Sequence, residues 1–288
     1  MQTRKVLVTG ATGFIGQYVI RNLLQKDGVE VFAITRDIQK ASLLDFFPKV
    51  KFVESDIALE SAKILQSIGK VDVVIHLAWD GLPNYKESFH IEKNLFANYR
   101  FCKEMIESGV KNLTVVGTCF EYGMVDGCLK EDMYPKPNNA YALAKDSLRK
   151  FIEQLSTKHS FSFKWVRLFY MYGVGQAKTS LISQLEQAIL RGDIEFNMSG
   201  GEQLRDYLPV ADVAANIVTC SLQEKVNGII NCSSGKPVSV RNFVENYLKE
   251  HNVAMKLNFG YYPYADYEPM AFWGDNTKLK MILSNKEI

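Results

Sequence analysis

Tyr141 and Lys145 stand four residues apart in the run Tyr-Ala-Leu-Ala-Lys, a spacing that puts both on one face of a helix. A free tyrosine titrates near pH ~10, too high for efficient proton transfer at neutral pH, and a nearby ammonium favours its phenolate. Such a pair can give a proton to a carbonyl oxygen, or take one from a hydroxyl, while a hydride is transferred. The same spacing also fits an exposed Tyr-Lys pair with no chemistry.

A glycine-rich segment tips the balance toward chemistry. Thr-Gly-Ala-Thr-Gly-Phe-Ile-Gly, residues 9–16, follows a short apolar run directly and opens a helical pattern. Gly10 permits a tight turn, Gly13 lets the backbone approach a pyrophosphate, and Gly16 lets the helix pack on the strand. The helix N-terminus adds free N–H groups and a positive dipole end. Gly10, Thr12, Gly13, Phe14, Ile15 and Gly16 are therefore the expected dinucleotide cradle. At the end of the second strand, where an acidic residue would bind the ribose hydroxyls of NAD, the chain has Ile34-Thr35-Arg36. Arg36 could clamp the 2′-phosphate of NADP, which favours NADP(H); Asp37 beside it keeps NAD(H) open.

Strands and helices alternate from the start. Apolar runs over 5–9, 30–34, 50–54, 71–76, 113–116 and 164–168 read as strands, with helical periodicity over 15–26, 58–68, 89–108 and 140–159. Near-continuous β-branched runs separated by helices call for a parallel sheet covered on both faces, a doubly wound α/β Rossmann sheet. After about residue 173 the rhythm loosens, with helices over 181–191, 211–222 and 240–250 and a Tyr- and Pro-rich stretch over 258–269. The expected division is a dinucleotide-binding domain over 1–172, with 211–225 packing back on it. Residues 173–210 and 226–288 then form a smaller, irregular α/β substrate lobe.

Composition excludes several classes. A net charge of +2 without a basic run argues against nucleic acid or an anionic membrane surface, and no apolar stretch is long enough to span a bilayer. The N-terminus runs straight into a strand, leaving no room for a signal peptide. Five scattered cysteines without a Cys-x-x-Cys pair suggest reduced thiols, a cytoplasmic protein and no metal site.

Several ordered motifs carry a resemblance: residues 9–16, Asp56-Ile57, His76-Leu77-Ala78, Thr118-Cys119-Phe120-Glu121-Tyr122-Gly123, Tyr141 to Lys145, and the stretch 205–214. Together they resemble the extended short-chain dehydrogenases/reductases, the nucleotide-sugar epimerases, dehydratases and ketoreductases, along essentially the whole chain. The resemblance implies that Tyr141 is the general acid/base, that Lys145 tunes it and binds the nicotinamide ribose, and that the Thr118 hydroxyl bonds the reacting oxygen. It also implies that Asp56 and Ile57 flank the adenine, that Leu77 and Ala78 line the cofactor cleft, and that Arg205 binds a sugar-nucleotide diphosphate. A salt bridge to Asp206 or another neighbour is the alternative reading of Arg205.

Departures from the family narrow the reaction. Related sugar 4,6-dehydratases place an Asp-Glu pair after the Thr; here Cys119 and Phe120 occupy those positions, and Glu121 should face elsewhere if the segment is extended. Cys119 reads as a small pocket residue, since no partner histidine is identifiable. The resemblance favours an NAD(P)-dependent reductase of a nucleotide-linked 4-keto-6-deoxy sugar, closest to the dTDP-4-keto-6-deoxyglucose reductases, making deoxysugars for surface polysaccharide. A 4-epimerase with tightly bound NAD is the alternative, and a non-catalytic dinucleotide sensor a third reading. Trp79, Tyr170 and Asn197 are further candidate substrate contacts, with core packing the competing reading; Tyr85 and Asp80 lie near, and Lys86 and His90 read as ordinary residues. The family's habit implies a homodimer through the helix bearing Tyr141 and the long helix before it, with Phe151, Ile152 and Leu155 as interface candidates.

Overall fold

The computed structural model describes residues 3–59 and 61–284. Seven parallel strands form the central sheet: β1 (Arg4–Thr9), β2 (Val29–Thr35), β3 (Lys51–Glu54), β4 (Val73–His76), β5 (Asn112–Thr118), β6 (Ser162–Leu168) and β7 (Gly228–Cys232). Their order across the sheet is β7-β6-β5-β4-β1-β2-β3. The order reverses between β1 and β4, and a crevice at the carboxyl ends of strands flanking such a reversal is where doubly wound sheets bind ligands.

Helices cover both faces, as strands buried on two sides require. On one face α1 (Phe14–Leu23) lies beside α5 (Val210–Leu222), and Val19, Ile20 and Leu23 share a core with Val213, Ile217 and Val218. On the other face lie α2 (Ser61–Ile68), α3 (Phe96–Glu107) and α4 (Ala140–Leu155). There Phe101, Met105, Leu148 and Ile152 pack on Leu7, Val74, Leu113 and Trp165. The 181–191 and 240–250 helices bury Leu185, Ala188, Val244 and Leu248 in a separate small core with Phe196 and Met198.

Two of the expected interface residues belong to this interior. Ile152 is fully buried in the chain's own core and Leu155 nearly so, because α4 turns them onto the sheet; Phe151 on the neighbouring face stays exposed.

Candidate active site

The glycine turn joins β1 to α1. Gly10 adopts a φ of +69°, and a Cβ there would press to 2.9 Å from the backbone nitrogen of Ala78. A Cβ on Gly16 would collide with the carbonyl of Gly10, so only hydrogen lets α1 seat against the turn. Gly13 caps α1 without a side chain, and the first turn carries no acid. The first N–H groups of a helix have no partner within it, so this end is an anion cradle.

His76 and Thr9 hold the opposite wall. The Thr9 hydroxyl lies 2.7 Å from His76 Nδ1 and accepts from the amides of Leu77 and Ala78, each at 3.2 Å. His76 Nε2 lies 2.7 Å from Asn98 Oδ1. Burial holds the imidazole well below its usual range, at about 3, with the Lys145 charge pushing the same way and the Asn98 bond opposing. A neutral ring then donates from Nε2 and accepts at Nδ1, fixing the Leu77–Ala78 segment against the turn.

These walls enclose a cleft of about 930 Å³ that takes in Thr12 to Gly16, Arg36, Asp56, Ile57, Leu77 and Ala78. A glycine cradle at a helix N-terminus beside apolar walls fits a dinucleotide. Asp56 uses one carboxylate oxygen to accept from the amide of Ala58 at 2.8 Å, closing its own turn. Arg36 reaches the rim, where Nη1 donates to Asp80 Oδ2 at 2.7 Å with both side chains exposed.

The candidate proton-transfer residues occupy the same cleft. Asn139 caps α4 by accepting from the amide of Ala142 at 2.9 Å, which places Tyr141 and Lys145 on the helix face turned to β5. Both are buried, as is Thr118 at the end of β5. Lys145 Nζ donates to the Val116 carbonyl at 2.8 Å and lies 4.1 Å from the Trp79 ring centroid. Burial pushes the Lys145 ammonium down to about 7, against the pull of Glu121 and Cys102. The Tyr141 phenol is pushed up, chiefly by burial and further by Tyr85, Glu121 and Cys119, while a bond from the Thr118 side chain draws it back. The lysine effect expected from sequence is thus not the leading influence on Tyr141 in the protein alone; a dry pocket is.

Glu121 points away from the cleft, as expected, although the segment that carries it is not extended. Residues Cys119–Tyr122 form a 3-10 turn rather than an extended strand, and the turn swings Glu121 beneath Thr118. Its carboxylate accepts from the amide of Thr118 at 2.8 Å, Trp165 Nε1 at 2.9 Å and Arg167 Nε at 2.7 Å. Burial pushes its carboxyl up and Arg167 pulls it down.

Trp79, Cys119 and Tyr170 line the cleft, and burial pushes the Cys119 thiol far up, which keeps it protonated and unsuited to nucleophilic attack. Asn197 and Arg205 do not line it. Asn197 Oδ1 accepts from Asn258 Nδ2 at 2.8 Å, tying two short strands of the small lobe together. Arg205 is buried and occupied: Nη2 lies 3.2 Å from Glu268 Oε1 and Nη1 donates to the carbonyls of Leu204 and Met270. Tyr170 donates its hydroxyl to the same Glu268. His90, which reads as ordinary in sequence, is fully buried against Tyr141, with ring centroids 5.4 Å apart. Tyr85 accepts the amide of Tyr141 on its backbone carbonyl at 3.0 Å, and Tyr267 joins the lining from the small lobe. No local pattern marks Tyr267 or Glu268, since their elements reach the site only through the tertiary fold. Among the described residues no three His, Cys, Asp or Glu side chains converge as a metal site.

The NAD dependent epimerase/dehydratase family matches residues 6–233. The chain belongs to this family. Members related to it include the dTDP-6-deoxy-L-talose 4-dehydrogenase (NAD(+)) of Aggregatibacter actinomycetemcomitans, 32% identical over 93% of this chain and 98% of that protein. The dTDP-4-dehydro-6-deoxyglucose reductase of Escherichia coli is 27% identical over 90% of this chain and 84% of its own length. Among solved structures, MoeE5 in complex with UDP-glucuronic acid and NAD superposes with a TM-score of 0.80 at 26% identity, covering 97% of this chain and 92% of that one. As a member of the family the chain is an NAD(P)-dependent oxidoreductase. Among the described residues no helix is long and apolar enough to cross a membrane.

Proposed function

We propose that the protein interconverts a 4-keto group and a 4-hydroxyl on a dTDP-linked 6-deoxy sugar, working as a net reductase in deoxysugar synthesis. The observation that carries this reading is the meeting of Thr118, Tyr141 and Lys145 in the cleft that the glycine turn opens. The names of the dTDP-6-deoxy-L-talose 4-dehydrogenase and the dTDP-4-dehydro-6-deoxyglucose reductase favour chemistry at carbon 4 of such a sugar.

When bound, the nicotinamide cofactor supplies or accepts the hydride. Tyr141 moves the proton at the O4 oxygen, and the Thr118 hydroxyl holds that oxygen by a hydrogen bond. Lys145 stabilises the developing phenolate and holds the nicotinamide ribose. Gly10, Thr12, Gly13, Phe14, Ile15 and Gly16 receive the pyrophosphate, Asp56 and Ile57 flank the adenine, and Leu77 and Ala78 back the cofactor. Trp79, Cys119 and Tyr170 wall the sugar side. Asn197 is tied to Asn258 and does not line the cleft, so it is assigned no role there. Arg205 reaches a substrate diphosphate only by exchanging the Glu268 carboxylate for phosphate oxygens, a swap of one charge-assisted pair for another.

Arg36 supports NADP(H), because the exposed Asp80 pairing is weak enough for a 2′-phosphate to displace. The NAD(+) in the name of the Aggregatibacter relative supports NAD(H) instead. Purified protein, dTDP-4-keto-6-deoxyglucose and either reduced cofactor decide the matter through the near-ultraviolet absorbance of reduced nicotinamide. Stoichiometric oxidation supports a reductase and ranks the two cofactors. No oxidation with NAD released on denaturation supports a 4-epimerase, the reading the UDP-glucose 4-epimerase relatives favour. We also propose a cytoplasmic homodimer through α3 and α4, where Phe96, Leu143 and Phe151 remain exposed; a monomer in sedimentation at micromolar concentration overturns it.

A further inference from the structure

The cation of the site has an aromatic neighbour held by a second side chain. Lys145 lies 4.1 Å from the Trp79 ring centroid and is only 2% exposed, so the indole face is one of few groups offsetting its lost hydration. The indole is itself fixed, since Trp79 Nε1 donates to His90 Nδ1 at 3.0 Å.

His90 is locked in turn. Its Nε2 lies 2.9 Å from the Asn84 carbonyl, which can only accept, so Nε2 carries the proton and Nδ1 offers the lone pair that Trp79 needs. The ring is fully buried, nearly coplanar with the Trp79 indole at an interplanar angle of 21°, and begins the π-helical turn His90–Leu95. Asn94, from the same turn, lies 3.4 Å from His90 Nδ1 and donates to the Asp80 carbonyl at 2.9 Å, steadying the segment that carries Trp79. π-Turns are rare and gather at functional sites. The contacts therefore run in one direction: Asn84 carbonyl, His90, Trp79, Lys145.

We infer that Trp79 and His90 are positioning residues for Lys145, the indole face holding the ammonium and the imidazole holding the indole. The inference rests on the role proposed above for Lys145, and it gives Trp79 a purpose beyond walling the sugar side. It requires a ring at position 79 for the cation and an acceptor at position 90 for the indole N–H.

The first test uses the cofactor-free protein and tryptophan emission. Lys145→Met should shift the emission component that Trp79→Phe removes, and should leave emission unchanged in the Trp79→Phe background. An equal shift in both backgrounds overturns the contact. The second test is kinetic and uses a double-mutant cycle. Trp79→Leu should lower kcat about tenfold, while Trp79→Phe, which keeps the ring, should restore most of the loss in kcat. His90→Phe should lower kcat in the native background and have no further effect on Trp79→Phe, which has no N–H to hold. A His90→Phe effect of the same size in both backgrounds shows that His90 does not act through Trp79. If Lys145→Met shifts the emission yet leaves turnover intact, the contact stands and the proposed role of Lys145 fails.

Discussion

Glu121 and Arg167 meet at 2.7 Å with neither side chain exposed to solvent, directly beneath Thr118, the residue proposed to hold the reacting oxygen. A buried pair gives little net stability, but removing one partner strands the other charge in the interior. Glu121→Gln should therefore lower stability by about 3–5 kcal/mol. Urea unfolding measures this, and replacing Arg167 with Met in the same chain should recover part of the loss. An unchanged midpoint in the single variant rules out the ion pair.

Tyr141→Phe removes one hydroxyl from a site otherwise filled by the same ring. Turnover should fall about 10²–10⁴-fold, the usual weight of a positioned acid, with cofactor affinity intact. Stopped-flow turnover beside calorimetric cofactor titration separates the two effects. Undiminished turnover takes Tyr141 out of the mechanism.

Gly16→Ala tests the cradle. The added methyl meets the Gly10 carbonyl and sits 2.8 Å from Ala11 Cα, a backbone clash that no side-chain rotation relieves. The turn must open, which should weaken cofactor binding at least tenfold and cost about 1–3 kcal/mol. Thermal melts with and without cofactor report both terms; a native melt with a native cofactor shift defeats the cradle assignment.

His76 should govern part of the acid stability. Its folded value of about 3 lies below its ordinary 6.5, so the unfolded chain takes up the proton first. The contribution is whole above pH 6.5 and is lost as pH falls toward 3, at up to about 1.4 kcal/mol per pH unit. A His76→Asn variant should show a flatter fall over that window. Parallel stability curves assign the acid loss to other groups.

The strand-turn-helix start and the Tyr-Lys pair were legible because each is a local pattern. Gly10, Gly13 and Gly16 act over seven residues of backbone, and a four-residue helical spacing aligns two side chains wherever that helix goes. A parallel sheet covered on both faces also follows from apolar runs too continuous to face water on either side.

Other assignments depended on neighbours distant along the chain. Glu121 turns inward because a 3-10 turn meets Trp165 and Arg167 from the next strand, and no periodicity in residues 118–123 announces that turn. Arg205 reads as a diphosphate ligand in sequence, yet Glu268, 63 residues away by the numbering, takes its guanidinium. Trp79 and His90 matter through Lys145, which arrives on another helix. The sequence by itself determined the backbone shapes and side-chain pairs that short-range sterics enforce. The tertiary structure alone decided which charges are buried together, because desolvation and pairing depend on what surrounds a group in space.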